Sequence, residues 1–250
     1  MRAIAIANQK GGACKTTTAV NLAAALGLKR RVLVIDFDPQ ANASRWLGVK
    51  DGGQELLDVL TDGRNLAEIV RTTEAKGVDL IPSSTWLRRV DKALASEPGA
   101  ETIFRRALAK LPLKRWDLIL VDCSPWLGLL TISALAACSE ILIPVEASSM
   151  STEGLRDLMT TIDKIREGLN PSLRPLAIVP SRVDERRSHD CKTVDSIRRH
   201  FGKLVTEQVV HESTSLKEAA LHQQPIQQYA PTSRAAQEFR ALAALITRKS

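Results

Sequence analysis

Aromatic residues make up only 4% of the 250 residues, and tyrosine occurs once. That scarcity argues against a surface that works by stacking on bases or sugar rings. Cysteine is as sparse: Cys14, Cys123, Cys138 and Cys191 form no CxxC pair. Neither a disulfide framework nor a zinc site is expected, and a reducing cytoplasm fits. No run approaches the ~18 uninterrupted apolar residues that a membrane crossing needs. The opening MRAIAIANQ is too short in apolar residues for a secretory leader and lacks a small-residue cleavage site. Acidic residues are in deficit, 28 against 35 Lys and Arg, for a formal charge of +7. The excess suits a polyanionic partner, nucleic acid or an anionic membrane, and serves plain solubility equally well.

What is present is a 44% apolar chain, enough for a full core. Short apolar runs at 3–7, 31–36, 78–83, 117–122, 140–145 and 175–180 read as buried strands. Helical patterns lie between them, one at 15–27 closed by Gly27 and one at 151–169 with Leu155, Leu158, Met159, Ile162, Ile165 and Leu169 on a single face. The alternation predicts an α/β fold, doubly wound, with a mostly parallel sheet and helices on both faces. No linker or repeat interrupts residues 1–250, so one domain is expected, with 48–77 as an excursion of small helices.

Residues 8–18 read NQKGGACKTTT, directly after the first strand and opening the first helix. Strand, glycine turn and Lys-Thr at a helix start are the context of a phosphate-binding loop. There backbone N–H groups and the helix dipole favour an anion. Lys15 would reach the outer phosphates and Thr16 would place its hydroxyl on Mg²⁺. The generic GxxxxGK[ST] pattern fails at Gln9 and Cys14. What remains resembles the deviant Walker A motif, KGGxGKT[ST], of the ParA/MinD ATPases. The resemblance implies a P-loop ATPase whose nucleotide is held by Lys10, Gly11, Gly12, Ala13, Cys14, Lys15, Thr16 and Thr17. It also implies that Lys10 reaches across a dimer interface to the partner's phosphates. If position 14 needs φ > 0, its Cβ costs ~1–2 kcal/mol, so weaker nucleotide binding is expected. A thiol beside Lys15 at a helix N-terminus is expected to have a lowered pKa and to be reactive.

VLVIDFDPQANAS places Asp36 at a strand end and Asp38 two residues on; WDLILVDCSPWLG does the same for Asp122. Ligands of open α/β sheets bind at such carboxyl ends. Asp122 reads as a Walker B carboxylate for Mg²⁺. The first stretch is similar to the family's DxDPQ(G/A)N, and the second to its D(C/A/T)PP, with Ser124 in place of one proline. By that resemblance Asp38 positions or activates the attacking water and Asp36 supports the Mg²⁺ environment. Cys123 and Cys138 read as small buried residues rather than iron–sulfur ligands.

PLAIVPSRVDERRSHD follows the last clear strand, and in ParA-like proteins this strand end helps frame the adenine; Pro180, Ser181 and Arg182 are the candidates. QQYAPTSRAAQEFRALAALI resembles the family's closing APxSxxAxxY. Basic residues gather at Arg182, Arg186, Arg187, Lys192, Arg198, Arg199 and Lys203, with Lys217, Arg234, Arg240, Arg248 and Lys249 further on. Asp184, Glu185, Asp190 and Asp195 interrupt them, as on a solvated mixed face. Arg186, Arg187, Arg198, Arg199 and Lys217 are the DNA-contact candidates, binding the backbone without reading sequence. The resemblance thus implies a small bacterial ParA-type partition ATPase, cytoplasmic and nucleoid-associated, without the N-terminal helix-turn-helix extension of larger forms. Its cofactors would be ATP and Mg²⁺. Its partners would be a second copy of itself, non-specific DNA and a ParB-like centromere-binding protein that stimulates hydrolysis, with no membrane. Three alternatives stand beside it: a MinD-like membrane-positioning ATPase, a positioner of other cargo, and a nucleotide-binding scaffold that no longer turns over. The tail RALAALITRKS is short and poor in bulky apolar residues for a membrane anchor.

Overall fold

The computed structural model describes residues 2–112, 114–147 and 152–248. In chain order the elements are β1 (Arg2–Ile6), α1 (Lys15–Gly27), β2 (Val32–Phe37), α2 (Asn42–Trp46), α3 (Glu55–Thr61), β3 (Arg71–Thr72), β4 (Val78–Ile81), α4 (Val90–Ala93), α5 (Ile103–Ala109) and β5 (Leu118–Cys123). Then follow α6 (Leu129–Ala137), β6 (Glu140–Glu146), α7 (Thr152–Gly168), β7 (Arg174–Val183), α8 (Ser188–Phe201), β8 (Val210–His211), α9 (Thr214–Leu221), α10 (Ile226–Tyr229) and α11 (Arg234–Arg248). The strands form one sheet in the order β3-β4-β2-β5-β1-β6-β7-β8. Every pairing is parallel except β3 with β4.

Alternation within the strands divides the core. Ala3, Ala5, Leu33, Ile35, Ile119, Val121, Ile141 and Ile143 face one layer, with Phe104 of α5, Leu135 of α6 and Leu155 and Ile162 of α7. Their neighbours Ile4, Ile6, Val34, Leu120, Leu142 and Val179 face the other, with α1 and with Phe239, Leu242 and Ile246 of α11. A sheet sandwiched this way must be apolar on both faces, which is why its strands read as continuous apolar runs. Phe37 and Phe104 stack at 4.3 Å between centroids beneath the end of β2. The expected strands and the 15–27 helix are present. The 151–169 helix is described from Thr152, and Ser151 and Lys249 lie outside the described residues. Within 48–77 the small helical excursion is joined by β3, a two-residue antiparallel edge strand that the sequence reading does not contain.

Glycine is required where α1 ends. A Cβ at Gly27 would overlap the carbonyl oxygen of Lys76, and one at Gly77 would overlap that of Gly27. The last turn of α1 is therefore seated backbone to backbone on the turn before β4.

Candidate nucleotide site

The loop after β1 is shaped by two left-handed residues, Gly12 at φ 78° and Cys14 at φ 62°. Gly12 tolerates that region freely; Cys14 does so at a steric cost. Thr18 N–H donates to Cys14 O at 2.8 Å, the first bond of α1, so the N–H groups before it are left for a ligand. Asn8 fixes the other end of the loop: its Nδ2 donates to Pro144 O at 2.7 Å and its Oδ1 accepts from Lys10 N–H at 3.0 Å. Lys15 is buried, and its ammonium donates to Lys10 O at 3.0 Å, reaching back across the loop. Burial lowers its pKa, against the pull of Asp122 and Asp38. The side chain of Lys10 is exposed.

Parallel pairing of β2 with β5 sets Asp36 beside Asp122, both fully buried. Thr16 Oγ1 donates to Asp122 Oδ2 at 2.7 Å. Among the described residues Asp122 Oδ1 has no hydrogen-bond partner. Desolvation, then the charge of Asp36, raises Asp122 well above the ordinary carboxylate range. Asp36 is pushed up to about 6 by burial, although hydrogen bonds from Ser44 and Asp38 oppose it. Its Oδ2 accepts from both Ser44 N–H and Ser44 Oγ at 2.7 Å, and its Oδ1 from Asp38 N–H at 3.2 Å. Asp36 is thus turned toward α2, where it ties down the chain that carries Asp38. The carboxylate oxygen without a partner belongs to Asp122.

Among the described residues no group of three or more His, Cys, Asp or Glu could hold a metal by itself. Mg²⁺ does not need one, because it is usually bound by one or two protein oxygens plus water and substrate phosphates. A buried carboxylate oxygen lacking a donor, beside the Thr16 hydroxyl, fits such a cation.

A cleft of about 510 Å³ opens from the loop. Asp38 lines it, its Oδ1 held by Gln40 N–H at 2.9 Å and its pKa raised by burial. Ser181 and Arg182 line the far wall, with Arg182 in the left-handed region at φ 52° and paired to Glu146 at 2.7 Å. Pro180 is buried within β7 opposite Val145 and does not line the cleft. The 210–217 segment closes this wall. Lys217 sits there, paired to Glu212 at 3.2 Å, in the cleft rather than on a separate face. Ser44, Ser83 and Trp46 belong to the site's frame and carry no motif signal in the sequence. Ser83 Oγ donates to Asp38 O at 2.6 Å, its N–H donates to Ser44 Oγ at 2.8 Å, and Trp46 lines the cleft.

The expected lowered pKa at Cys14 is corrected. Burial pushes the thiol up to about 12, outweighing the charges of Arg182 and Lys15, and Glu146 adds to the rise. The helix N-terminus and lysine are present, but so is a desolvated setting that disfavours the thiolate. Cys123 and Cys138 are fully buried in the apolar layer under the sheet.

The start of the basic cluster beyond β7 is ion-paired within the chain. Arg186 lies fork-to-carboxylate on Asp184 at 2.9 Å, and Arg187 pairs with Asp184 at 3.4 Å and Glu212 at 3.8 Å. The guanidinium of Arg186 holds the Asp184 carboxyl at about 2. Arg198 donates to Glu207 O at 3.1 Å, while Arg199 is exposed and makes no ion pair among the described residues. His211, on the cleft wall, is clamped between Glu238 at 2.6 Å and Glu185 at 2.9 Å, and Arg234 pairs with the same two carboxylates.

Comparison with known proteins places this geometry among relatives. A family profile described as "AAA domain" matches residues 1–175, and one described as "Cellulose biosynthesis protein BcsQ" matches residues 185–246. The chain is 40% identical over 244 residues to the chromosome-partitioning ATPase Soj of Thermus thermophilus, covering 97% of this chain and 94% of that one. It is 37% identical over 244 residues to the chromosome partitioning protein ParA of Myxococcus xanthus, covering 96% and 86%. Among solved structures, cobyrinic acid a,c-diamide synthase from Mycobacterium smegmatis with bound ATP analogue and magnesium matches at a TM-score of 0.88. That match has 27% identity and covers 99% of this chain and 94% of that one.

Proposed function

This chain belongs to the ParA/Soj family of partitioning ATPases, and from that premise we propose that Mg-ATP joins two copies into a dimer that binds DNA without sequence choice and releases it on hydrolysis. The observation that carries the reading is the meeting of Lys15, Thr16, Asp38 and Asp122 at the carboxyl ends of the central strands, with Thr16 and Asp122 2.7 Å apart.

The roles follow from placement. Loop N–H groups before α1 and the Lys15 ammonium hold the outer phosphates; Lys15 exchanges its bond to Lys10 O for a phosphate oxygen. Thr16 Oγ1 and Asp122 Oδ1 are the protein's contribution to Mg²⁺, which when bound neutralises charge on the β- and γ-phosphates. Asp38 accepts a hydrogen bond from the attacking water and orients it in line with the γ-phosphate. Asp36 acts one step back, through Ser44, to keep Asp38 in place. Lys10, exposed at the loop's outer edge, reaches the phosphates held by the second copy, so nucleotide is bound best when two copies meet. Ser181 and Arg182 frame the base. A ParB-like partner bound to a centromere stimulates hydrolysis, and the cargo follows the gradient this creates.

Sedimentation with ADP, ATP and a non-hydrolysable analogue, each with Mg²⁺, tests the dimer, and phosphate release with DNA and partner tests turnover. The expected result is a nucleotide-dependent dimer with slow hydrolysis that partner and DNA accelerate. A molecule that stays single with ATP refutes the cycle. Cys14 in the left-handed region at the cleft favours one second reading, a scaffold that binds without turnover. A flat phosphate trace with intact nucleotide binding selects it.

A further inference from the structure

Large apolar side chains are almost all inside the fold. Among the described residues the exposed ones are Leu28, Leu221 and Trp126, and Trp126 is 79% exposed. Single exposed aliphatics are common and signify little. Leu28 follows α1 at the end remote from the glycine loop, and Leu221 ends α9, the helix of the cleft's far wall. Trp126 differs in kind and in place. β5 lies beside β1 in the sheet, so the loops that leave their carboxyl ends run side by side. Gln9 and Pro125, the chain neighbours of Lys10 and Trp126, line one small cavity together with Asn8, Ser124 and Leu127. Pro125 also lines the nucleotide cleft. Lys10 and Trp126 therefore stand on adjacent loops of one rim.

The loop holds its indole out rather than folding it back. Thr131 Oγ1, in the first turn of α6, donates to Trp126 O at 2.7 Å and to Ser124 O at 3.3 Å. Trp126 N–H donates to Ser124 Oγ at 3.4 Å, and Asp91 Oδ1 of α4 accepts from Leu129 N–H at 3.1 Å. The main chain on both sides of the ring is thus tied down before a partner arrives. An aromatic side chain on a fixed backbone loses little freedom on binding, which is the property of an interface anchor.

We propose that Trp126 is the apolar anchor of the nucleotide-loaded dimer, seated on the glycine-loop face of a second copy; this rests on the dimer reading above. A two-fold interface sets a patch against itself, so the patch must be self-complementary. This face meets that condition once loaded. It carries the exposed Lys10 cation and, in the cleft beside it, the anionic triphosphate. Each copy's lysine then faces the other's phosphates, and Trp126 lies on the rim that closes. Two chains of formal charge +7 repel one another, and burial of the indole adds an attraction that salt does not screen. A bilayer is the poorer occupant. One ring on a loop, with Leu127 and Leu129 half-buried beside it, falls short of the apolar face that membrane binding needs.

The test is sedimentation of the full chain with Mg²⁺ and a non-hydrolysable ATP analogue over a dilution series. Trp126→Ala is expected to raise the dimer dissociation constant by about tenfold or more, because the two-fold removes two rings at once. Trp126→Phe should recover part of the loss. Melting temperature without nucleotide should match wild type, since the ring is packed on little of the fold. Tryptophan emission of the wild type should move to the blue as the dimer forms and follow protein concentration; that of Trp126→Ala should not. A folded Trp126→Ala variant that pairs like wild type overturns the anchor and leaves the dimer reading standing. A wild-type chain that binds the analogue and stays single overturns both. A blue shift independent of protein concentration overturns the anchor in favour of a rearrangement within one copy. A blue shift with phosphatidylserine vesicles, with the dimer constant unmoved by Trp126→Ala, overturns it in favour of a membrane.

Discussion

Cys14 leads into α1 with φ 62° and ψ 23°, a backbone where every side chain but glycine's is strained. The loop pattern raised a left-handed residue there as a condition, and the backbone meets it; the thiol's surroundings were not legible, because burial is set by residues remote in sequence. The strain is present in the folded loop before any ligand arrives, so it belongs first to stability. Cys14→Gly should raise the unfolding free energy by about 1 kcal/mol, or about 2–4 °C in melting temperature. Differential scanning calorimetry checks this; a lower midpoint contradicts it. With the thiol pushed up to about 12, maleimide should label Cys14 more slowly at neutral pH than it labels a free cysteine. Asp122 makes the opposite trade. A buried carboxylate pressed against a second one destabilises the fold, and Asp122 is the one proposed to hold the cation. Asp122→Asn should melt about 2–4 °C higher near neutral pH without Mg²⁺, yet lose Mg-dependent nucleotide binding. The pH sign follows from Asp36, whose folded pKa of about 6 stands above its ordinary 3.8. The folded state holds that proton more tightly, so the stabilisation is full below about pH 4 and is lost as pH rises through 6. The Asp36 contribution should therefore fall from about pH 4 to 6 and then level off in variant and wild type alike.

At the scale of elements, long apolar runs and the glycine loop announced themselves, and α1 begins and ends where its sequence indicates. β3 and β8 did not, since two residues carry no period. Nor did Ser44 and Ser83, which wire the end of β2 to the chain after β4 and become recognisable only once the strands are side by side. The same blindness hid the acidic partners of the Arg186 cluster: Glu212 and Glu238 come from elements well downstream. Contacts between elements also supply the caps. Asp91, within α4, accepts from Leu129 N–H at 3.1 Å at the start of α6. Asp91→Ala should cost about 1 kcal/mol, read as a shift in the denaturant midpoint without a change in slope. Gly27→Ala should cost more, about 1–3 kcal/mol, because the added methyl meets backbone that cannot rotate away.

For the whole molecule, ligand and fold are linked through one site. ATP at about 100 times its dissociation constant should raise stability by about 2.7 kcal/mol, and only with Mg²⁺ present if Thr16 and Asp122 hold the cation as proposed. Thermal melts with ATP alone, Mg²⁺ alone and both together read this directly; equal shifts with and without the metal would count against their role. Net charge does not locate a partner's surface, since a total of +7 is silent about which cations are already paired. α1 runs unbroken from the triphosphate cradle to the seam where Gly27 meets Gly77. A rod fixed at both ends works like a pushrod: a small axial displacement at the loaded end must reappear at the far end, with no hinge to absorb it. Amide exchange at residues 26–30 and 75–78 should therefore slow when nucleotide binds some 20 Å away, at ~1.5 Å per residue along the helix.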